Sequence, residues 1–138
     1  MKQVSIIKYN AGNIRSVLFA LERLGVQATV TDDHDFIRQS SHVIFPGVGA
    51  ANSAMPYLQE RGLDVLMRSL TQPFLGICLG MQLMCSHSEE GDTQCLGMFD
   101  ISVKKFPAVD AAGQRLKTPH MGWNSLYNLQ SPLMKGVK

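Results

Sequence analysis

Through roughly the first ninety residues, short apolar runs alternate with stretches whose apolar positions recur every three or four residues. Val4 to Tyr9 reads as a buried strand, and Asn10-Ala11-Gly12-Asn13 as a turn whose last residue can cap a helix. Ile14, Val17, Leu18, Leu21 and Leu24 then fall on one helical face, with Gly25 as the stop. Val26 to Val30 is a second strand, closed by the polar run Thr31 to Asp35, and His42 to Phe45 is a third, ended by Pro46-Gly47-Val48-Gly49. A helix is predicted from about Ser53, with Pro56 in its first turn, where a missing N–H costs little. Gly62 breaks that pattern before Leu63 to Leu70 resume it, Phe74 to Cys78 is a fourth strand, and Leu79 to about His87 is a helix. Beyond Glu89-Glu90-Gly91 the texture changes. Met98 to Phe106 and Leu116 to Leu129 look extended, joined by a turn at Asp110 to Gly113.

Strand–helix alternation of this kind predicts an α/β fold: a flavodoxin-like, open, mostly parallel sheet with helices on both faces. The later strands read as a mixed or antiparallel extension. The chain is treated as one domain over residues 1–138, since no linker, repeat or low-complexity tract interrupts it.

In an open α/β sheet, ligands bind beyond the carboxyl ends of the strands. Three loops should gather there: Asn10 to Asn13, Pro46 to Gly49, and Gly76 to Gly80. The last carries the chemistry. In Gly76-Ile77-Cys78-Leu79-Gly80 a glycine stands two residues to either side of the cysteine, at a strand-to-helix junction. Such a turn holds the central side chain at its tip, with no neighbouring Cβ in the way. The helix that follows points its positive end at the sulfur, which suits the reactive, anionic form of a thiol. The Leu79 N–H and the Val48 N–H are candidate donors for an oxyanion, the charge that develops when an amide carbonyl is attacked. The competing reading makes Cys78 a small buried hydrophobe and the glycines mere turn residues.

Composition removes other classes. The net charge of +2, with Lys and Arg scattered, gives no nucleic-acid footprint. Three cysteines without a CxxC pair argue against a disulfide framework or zinc knuckle and for a reducing, cytoplasmic setting. Ser69 to Ser88 lacks charged residues, but Pro73, Gly76, Gly80, Gln72, Gln82 and His87 interrupt it, so a buried centre is expected, not a membrane span. Cys85, on the same side of the helix as Cys78, and Cys95, in a loop, read as packing thiols. A metal site from Cys78, Cys85, His87 and Cys95 lacks ligand spacing. No cofactor is implied.

Gly76-Ile77-Cys78-Leu79-Gly80-Met81-Gln82 resembles the nucleophile motif of the class I, triad-type glutamine amidotransferases. Tyr9-Asn10-Ala11-Gly12-Asn13, Pro46-Gly47-Val48-Gly49 and Pro119-His120-Met121-Gly122-Trp123-Asn124 narrow the resemblance. Together they are similar to the glutaminase subunits of imidazole glycerol phosphate synthases, which serve histidine biosynthesis. The resemblance implies that Cys78 forms a glutamyl thioester, releasing ammonia to a (β/α)8-barrel cyclase partner. Gln82 and Gly47 would hold the glutamine substrate, Val48 and Leu79 the oxyanion, and Glu90 the substrate's α-amino group. An ordinary helix-face amide remains the alternative for Gln82. For Glu90 the alternatives are a solvated acidic turn and a register with Glu89. Asn13, His120 and Trp123 would face the partner, with a plain helix cap and simple core packing as the other readings of Asn13 and Trp123.

The family completes its triad with a His-Pro-Glu segment near the C-terminus. No such segment occurs here, and His34, His42, His87 and His120 do not fit the role. The expectation is a chain that stops before the family's final strands and helices, or a shortened natural variant, with little glutaminase activity of its own. Two other outcomes remain from the residues: a non-catalytic flavodoxin-like binding module, and another class I amidotransferase subunit.

Overall fold

Four short β-branched and aromatic runs, each followed by a turn and a helix, determine the architecture. In the computed structural model, which describes residues 3–136, these runs are β1 (Val4–Ile7), β2 (Ala28–Thr31), β3 (His42–Phe45) and β4 (Phe74–Gly76). They form one all-parallel sheet in the order β2-β1-β3-β4, with Ile6 opposite Val30 and Ile44, and Phe45 opposite Gly76. The parallel, flavodoxin-like sheet is as expected.

Helices cover both faces because strand side chains alternate. Val4, Ile6 and Ile44 point toward α1 (Ile14–Arg23) and pack on Ile14, Val17, Leu18 and Leu21. Ile7, Val43 and Phe45 point to the other face. There they meet α2 (His34–Gln39), α3 (Ala51–Glu60), α4 (Leu63–Ser69) and α5 (Leu79–Met84) through Ile37, Leu58, Leu66 and Leu83.

Several elements depart from the sequence expectations. Asn13 precedes α1 but does not cap it; its backbone is left-handed (φ 81°), and its Oδ1 accepts from the Ser16 hydroxyl at 2.6 Å. Helix α2 begins inside the polar run expected to close the second strand and buries only Ile37; the Asp33 carboxylate caps it, accepting from the Phe36 N–H at 2.7 Å. Helix α3 starts at Ala51, which puts Pro56 inside it and not in its first turn. The proline ring is exposed, while Ala51, Ala54, Met55 and Leu58 are buried and hold the helix together. Gly62, left-handed at φ 64°, separates α3 from α4 as expected. Helix α5 stops at Met84, so Cys85 and His87 lie outside it, and His87 opens a strand.

That strand, β5 (His87–Ser88), pairs antiparallel with β6 (Thr93–Gln94) and parallel with β7 (Ser102–Val103). The expected mixed extension is therefore a separate small sheet. The Glu89 carboxylate pins it, accepting from the Lys104 ammonium at 2.7 Å and the Lys105 N–H at 2.8 Å.

The described residues divide into two compact units, one ending at Lys105 and the other starting at Phe106. The second is a hairpin turn followed by irregular chain. The Asp110 carboxylate accepts from the Ala112 and Gln114 N–H groups, both at 2.9 Å, and Val109 bridges Arg115. The turn at Asp110 to Gly113 is as expected, but Leu116 to Leu129 forms no strand. Extended chain becomes a strand only where a partner takes up its N–H and C=O groups, and this unit supplies one bridge. Among the described residues no helix is long and apolar enough to cross a membrane.

Replacing Asp33 by Ala removes the α2 cap and is expected to cost ~1 kcal/mol. A shift of the urea midpoint at unchanged slope checks this.

Candidate functional site

Cys78 stands between β4 and α5 with φ 52° and ψ −117°, a backbone that L-residues avoid, and it is exposed. Close packing holds it there. A Cβ on Gly80 would run into the Phe45 carbonyl, and one on Gly76 would come within 2.7 Å of Met81 Cα. The flanking glycines are thus required by contact as well as by flexibility: α5 starts hard against the ends of β3 and β4. The Ile77 N–H donates to the Phe45 carbonyl at 3.0 Å and completes the turn.

The Pro46–Gly49 loop lies directly alongside. The Leu79 N–H donates to the Gly47 carbonyl at 3.3 Å, which ties the nucleophile turn to that loop. Leu79, the oxyanion donor expected from the sequence, therefore already has a partner. In this arrangement its N–H is occupied, and it can serve a substrate only by exchanging the Gly47 carbonyl for the substrate oxygen. Gly47 is buried, whereas Val48 is 47% exposed beside a left-handed Gly49 (φ 116°). Gln82 is half-buried one turn along α5, its N–H bonded to the Cys78 carbonyl at 3.0 Å.

The β1–α1 loop closes a third side. The Asn10 amide donates to the Ser53 carbonyl at 3.0 Å, and the Tyr9 hydroxyl donates to the Pro46 carbonyl at 2.7 Å. Tyr9 is buried, its ring 5.1 Å from that of Phe45. Burial, with a smaller contribution from the Cys78 sulfur, pushes the phenol well above its usual range. Neither polarity nor exposure marks this residue in the sequence. Its signal is two-residue alternation, which puts Tyr9 on the Ile7 face, next to a glycine that leaves it room.

Glu90 sits in the β5–β6 turn, which meets the first turn of α3: a Cβ on Gly91 would lie 2.8 Å from Asn52 Cγ. Glu90 is exposed, while the Glu89 carboxylate is already taken by Lys104 and Lys105. Of the two registers, Glu90 is the one with a carboxylate available for a ligand. Its hairpin thus packs beside the helix that follows the Gly47–Gly49 loop.

The first unit therefore gathers Cys78, Leu79, Gly47, Val48 and Gln82, with Glu90 on a neighbouring turn and Asn13 in the β1–α1 loop. His120 and Trp123 belong to the second unit. The His120 ring nitrogen pairs with the Asn124 amide at 2.9 Å, and Trp123 is fully exposed, so core packing does not account for it.

The other histidines are also engaged: His34 with the Arg61 carbonyl, His42 with the Ser41 hydroxyl, and His87 with Asp92 at 2.8 Å. The sequence contains one His-x-Glu spacing, His87-Ser88-Glu89. Its two side chains are committed to Asp92 and to the Lys104–Lys105 pair. Cys85 and Cys95 are buried, and burial, then the nearby Cys85, pushes the Cys95 thiol up. Among the described residues no group of three or more His, Cys, Asp and Glu side chains is placed to hold a metal ion.

Comparison with known proteins gives concordant results. The family model for glutamine amidotransferase class-I matches residues 5–138. Curated relatives named imidazole glycerol phosphate synthase subunit HisH include that of Bacteroides fragilis, 54% identical over 134 residues. That of Bacteroides thetaiotaomicron is 52% identical over 134 residues. Both alignments cover 97% of this chain and 67% of the relative, so the chain spans about two thirds of their length. The HisH subunit of Geobacillus kaustophilus is 45% identical over 98% of the chain and 66% of its own length. A solved structure described as a glutamine amidotransferase superposes with a TM-score of 0.60 at 23% identity, over 72% of this chain and 54% of that one. It supports the fold.

Gly80→Ala is expected to cost about 1–3 kcal/mol, because the methyl meets a backbone carbonyl that cannot yield; chemical denaturation measures it. Because the Tyr9 phenol is raised in the folded state, its contribution is complete below the unfolded value of about 10 and is lost above it. Stability is therefore expected to fall as pH rises past ~10, and less steeply in Tyr9→Phe, as followed by thermal melts across that range.

Proposed function

Because the chain belongs to the class-I glutamine amidotransferase family, we propose that Cys78 is the nucleophile for the side-chain amide of glutamine. The observation that carries this is the geometry of the turn: an exposed sulfur on a strained, glycine-flanked backbone, held against the Gly47–Gly49 loop. Attack by Cys78 Sγ on the amide carbon forms a C–S bond. The C–N bond breaks, and the nitrogen leaves as ammonia with the thiol proton. Water then cleaves the thioester, giving glutamate and restoring the thiol.

Negative charge on the carbonyl oxygen during both steps calls for donors aimed at it. The Val48 N–H, at an exposed residue followed by a glycine, and the Leu79 N–H, once released from Gly47, supply them. Gln82 and Gly47 line the approach, and the free carboxylate of Glu90 pairs with the substrate's α-amino group.

The relatives' name points to the destination of the ammonia. We assign it to a (β/α)8-barrel cyclase subunit of an imidazole glycerol phosphate synthase, with Asn13, His120 and Trp123 as contacts to that partner. A fully exposed tryptophan suits an anchor buried on association. Ammonia is useful only while shielded from water and protons, so production next to a docked acceptor is chemically sensible. The three free thiols fit a reducing cytoplasm.

Among the described residues each of the four histidines is hydrogen-bonded to a group other than the Cys78 sulfur. Ammonia release from glutamine by this chain, with or without the barrel, is expected to lie roughly 10³-fold or more below that of the B. fragilis relative with its cyclase. Robust turnover that survives Cys78→Ser would sink the assignment.

A further inference from the structure

We infer that Tyr9 is a positioning residue for the reaction at Cys78: its buried hydroxyl, bonded to the Pro46 carbonyl and filling the space above Gly47, holds the Gly47–Gly49 loop in register with the nucleophile turn. The inference rests on the glutamine reading above.

The geometry runs through consecutive peptides. Tyr9 donates to the Pro46 carbonyl at 2.7 Å, which fixes the plane of the Pro46–Gly47 peptide. The next carbonyl, that of Gly47, accepts from the Leu79 N–H at 3.3 Å, directly after Cys78. A Cβ on Gly47 would coincide with the Tyr9 hydroxyl and lie 3.0 Å from Tyr9 Cζ and 3.5 Å from Ala11 Cβ. The phenol therefore occupies the volume of a missing side chain. The ring itself cannot shift freely, since it packs on Phe45, whose own carbonyl receives the Ile77 N–H and abuts Gly80. One side chain from the β1 end thus touches the start of the loop and the strand end that supports the nucleophile turn. The phenol stays protonated, as burial and the neighbouring sulfur both disfavour the phenolate. It is a steady donor that gives its hydrogen bond to Pro46 and takes no proton from Cys78.

Positioning of this kind should matter for a ligand that must engage the loop, and little for a reagent that needs only the sulfur. Two electrophiles separate the cases: a chloroketone analogue of glutamine and iodoacetamide. Each is attacked at carbon by the Cys78 sulfur, which forms a C–S bond and displaces halide. In Tyr9→Phe the ratio of analogue rate to iodoacetamide rate is expected to fall about tenfold, the cost of a modest misplacement. Gly47→Ala, which keeps the phenol but inserts a methyl where its oxygen lies, should lower the ratio likewise and carries the test if Tyr9→Phe does not fold. A ratio within about twofold of wild type in the folded variant overturns the role of Tyr9. Failure of the analogue to capture Cys78 in the wild-type chain overturns the glutamine reading instead.

Discussion

The approach of α5 to the strand ends is the constraint from which the site follows. Gly80 lies against the Phe45 carbonyl, and Gly76 against the backbone of Met81, at separations no side chain would permit. Only at that distance does the chain turn from β4 into α5 within two residues, and only such a turn forces Cys78 to φ 52°. The strain is local, and it is sustained by packing around it: Leu79, Leu83 and Phe45 are buried in the main core. A turn relaxed by even one Cβ would move the sulfur off the crest and separate Leu79 from Gly47.

Around that turn, three loops meet because all four main-sheet strands run parallel and end on the same side. Backbone carbonyls hold them to one another. Phe45 receives the Ile77 N–H, Gly47 receives the Leu79 N–H, Pro46 receives the Tyr9 hydroxyl and Ser53 receives the Asn10 amide. The site is thus a lattice of main-chain acceptors with few charges, which suits a neutral amide group whose carbonyl oxygen gains charge only during reaction. The carboxylates sit further out, and of the adjacent pair one is spent on structure, in the Glu89–Lys104 contact, and the other is available for a ligand.

Much of this was readable from residue order. The run His42–Phe45, the break at Gly62, the Asp110 turn and the Gly76–Gly80 motif each depend on a few neighbours, and each appears where the sequence puts it. The misreadings share a cause. Helix α2 is held by one buried residue and one cap, too little periodicity to register. Pro56 sits inside α3 because four buried residues outweigh one missing N–H. Helix α5 ends at Met84 because Cys85 to Ser88 is drawn into the small sheet, a partner that lies further along the chain. Likewise the motif around Leu79 gives no sign that its N–H is bonded to the carbonyl of Gly47, far away in sequence.

The sequence by itself determined the fold class, the family and the candidate nucleophile, since strand–helix alternation and a glycine-flanked cysteine are local patterns that need no knowledge of contacts. Tertiary structure alone decided what those residues meet. It showed that Glu89 is committed and Glu90 is not, that each histidine has another partner, and that the phenol of Tyr9 fills the space over Gly47. Hydrogen-bond partners and excluded volume are set by residues brought together from distant parts of the chain, and no local pattern encodes them.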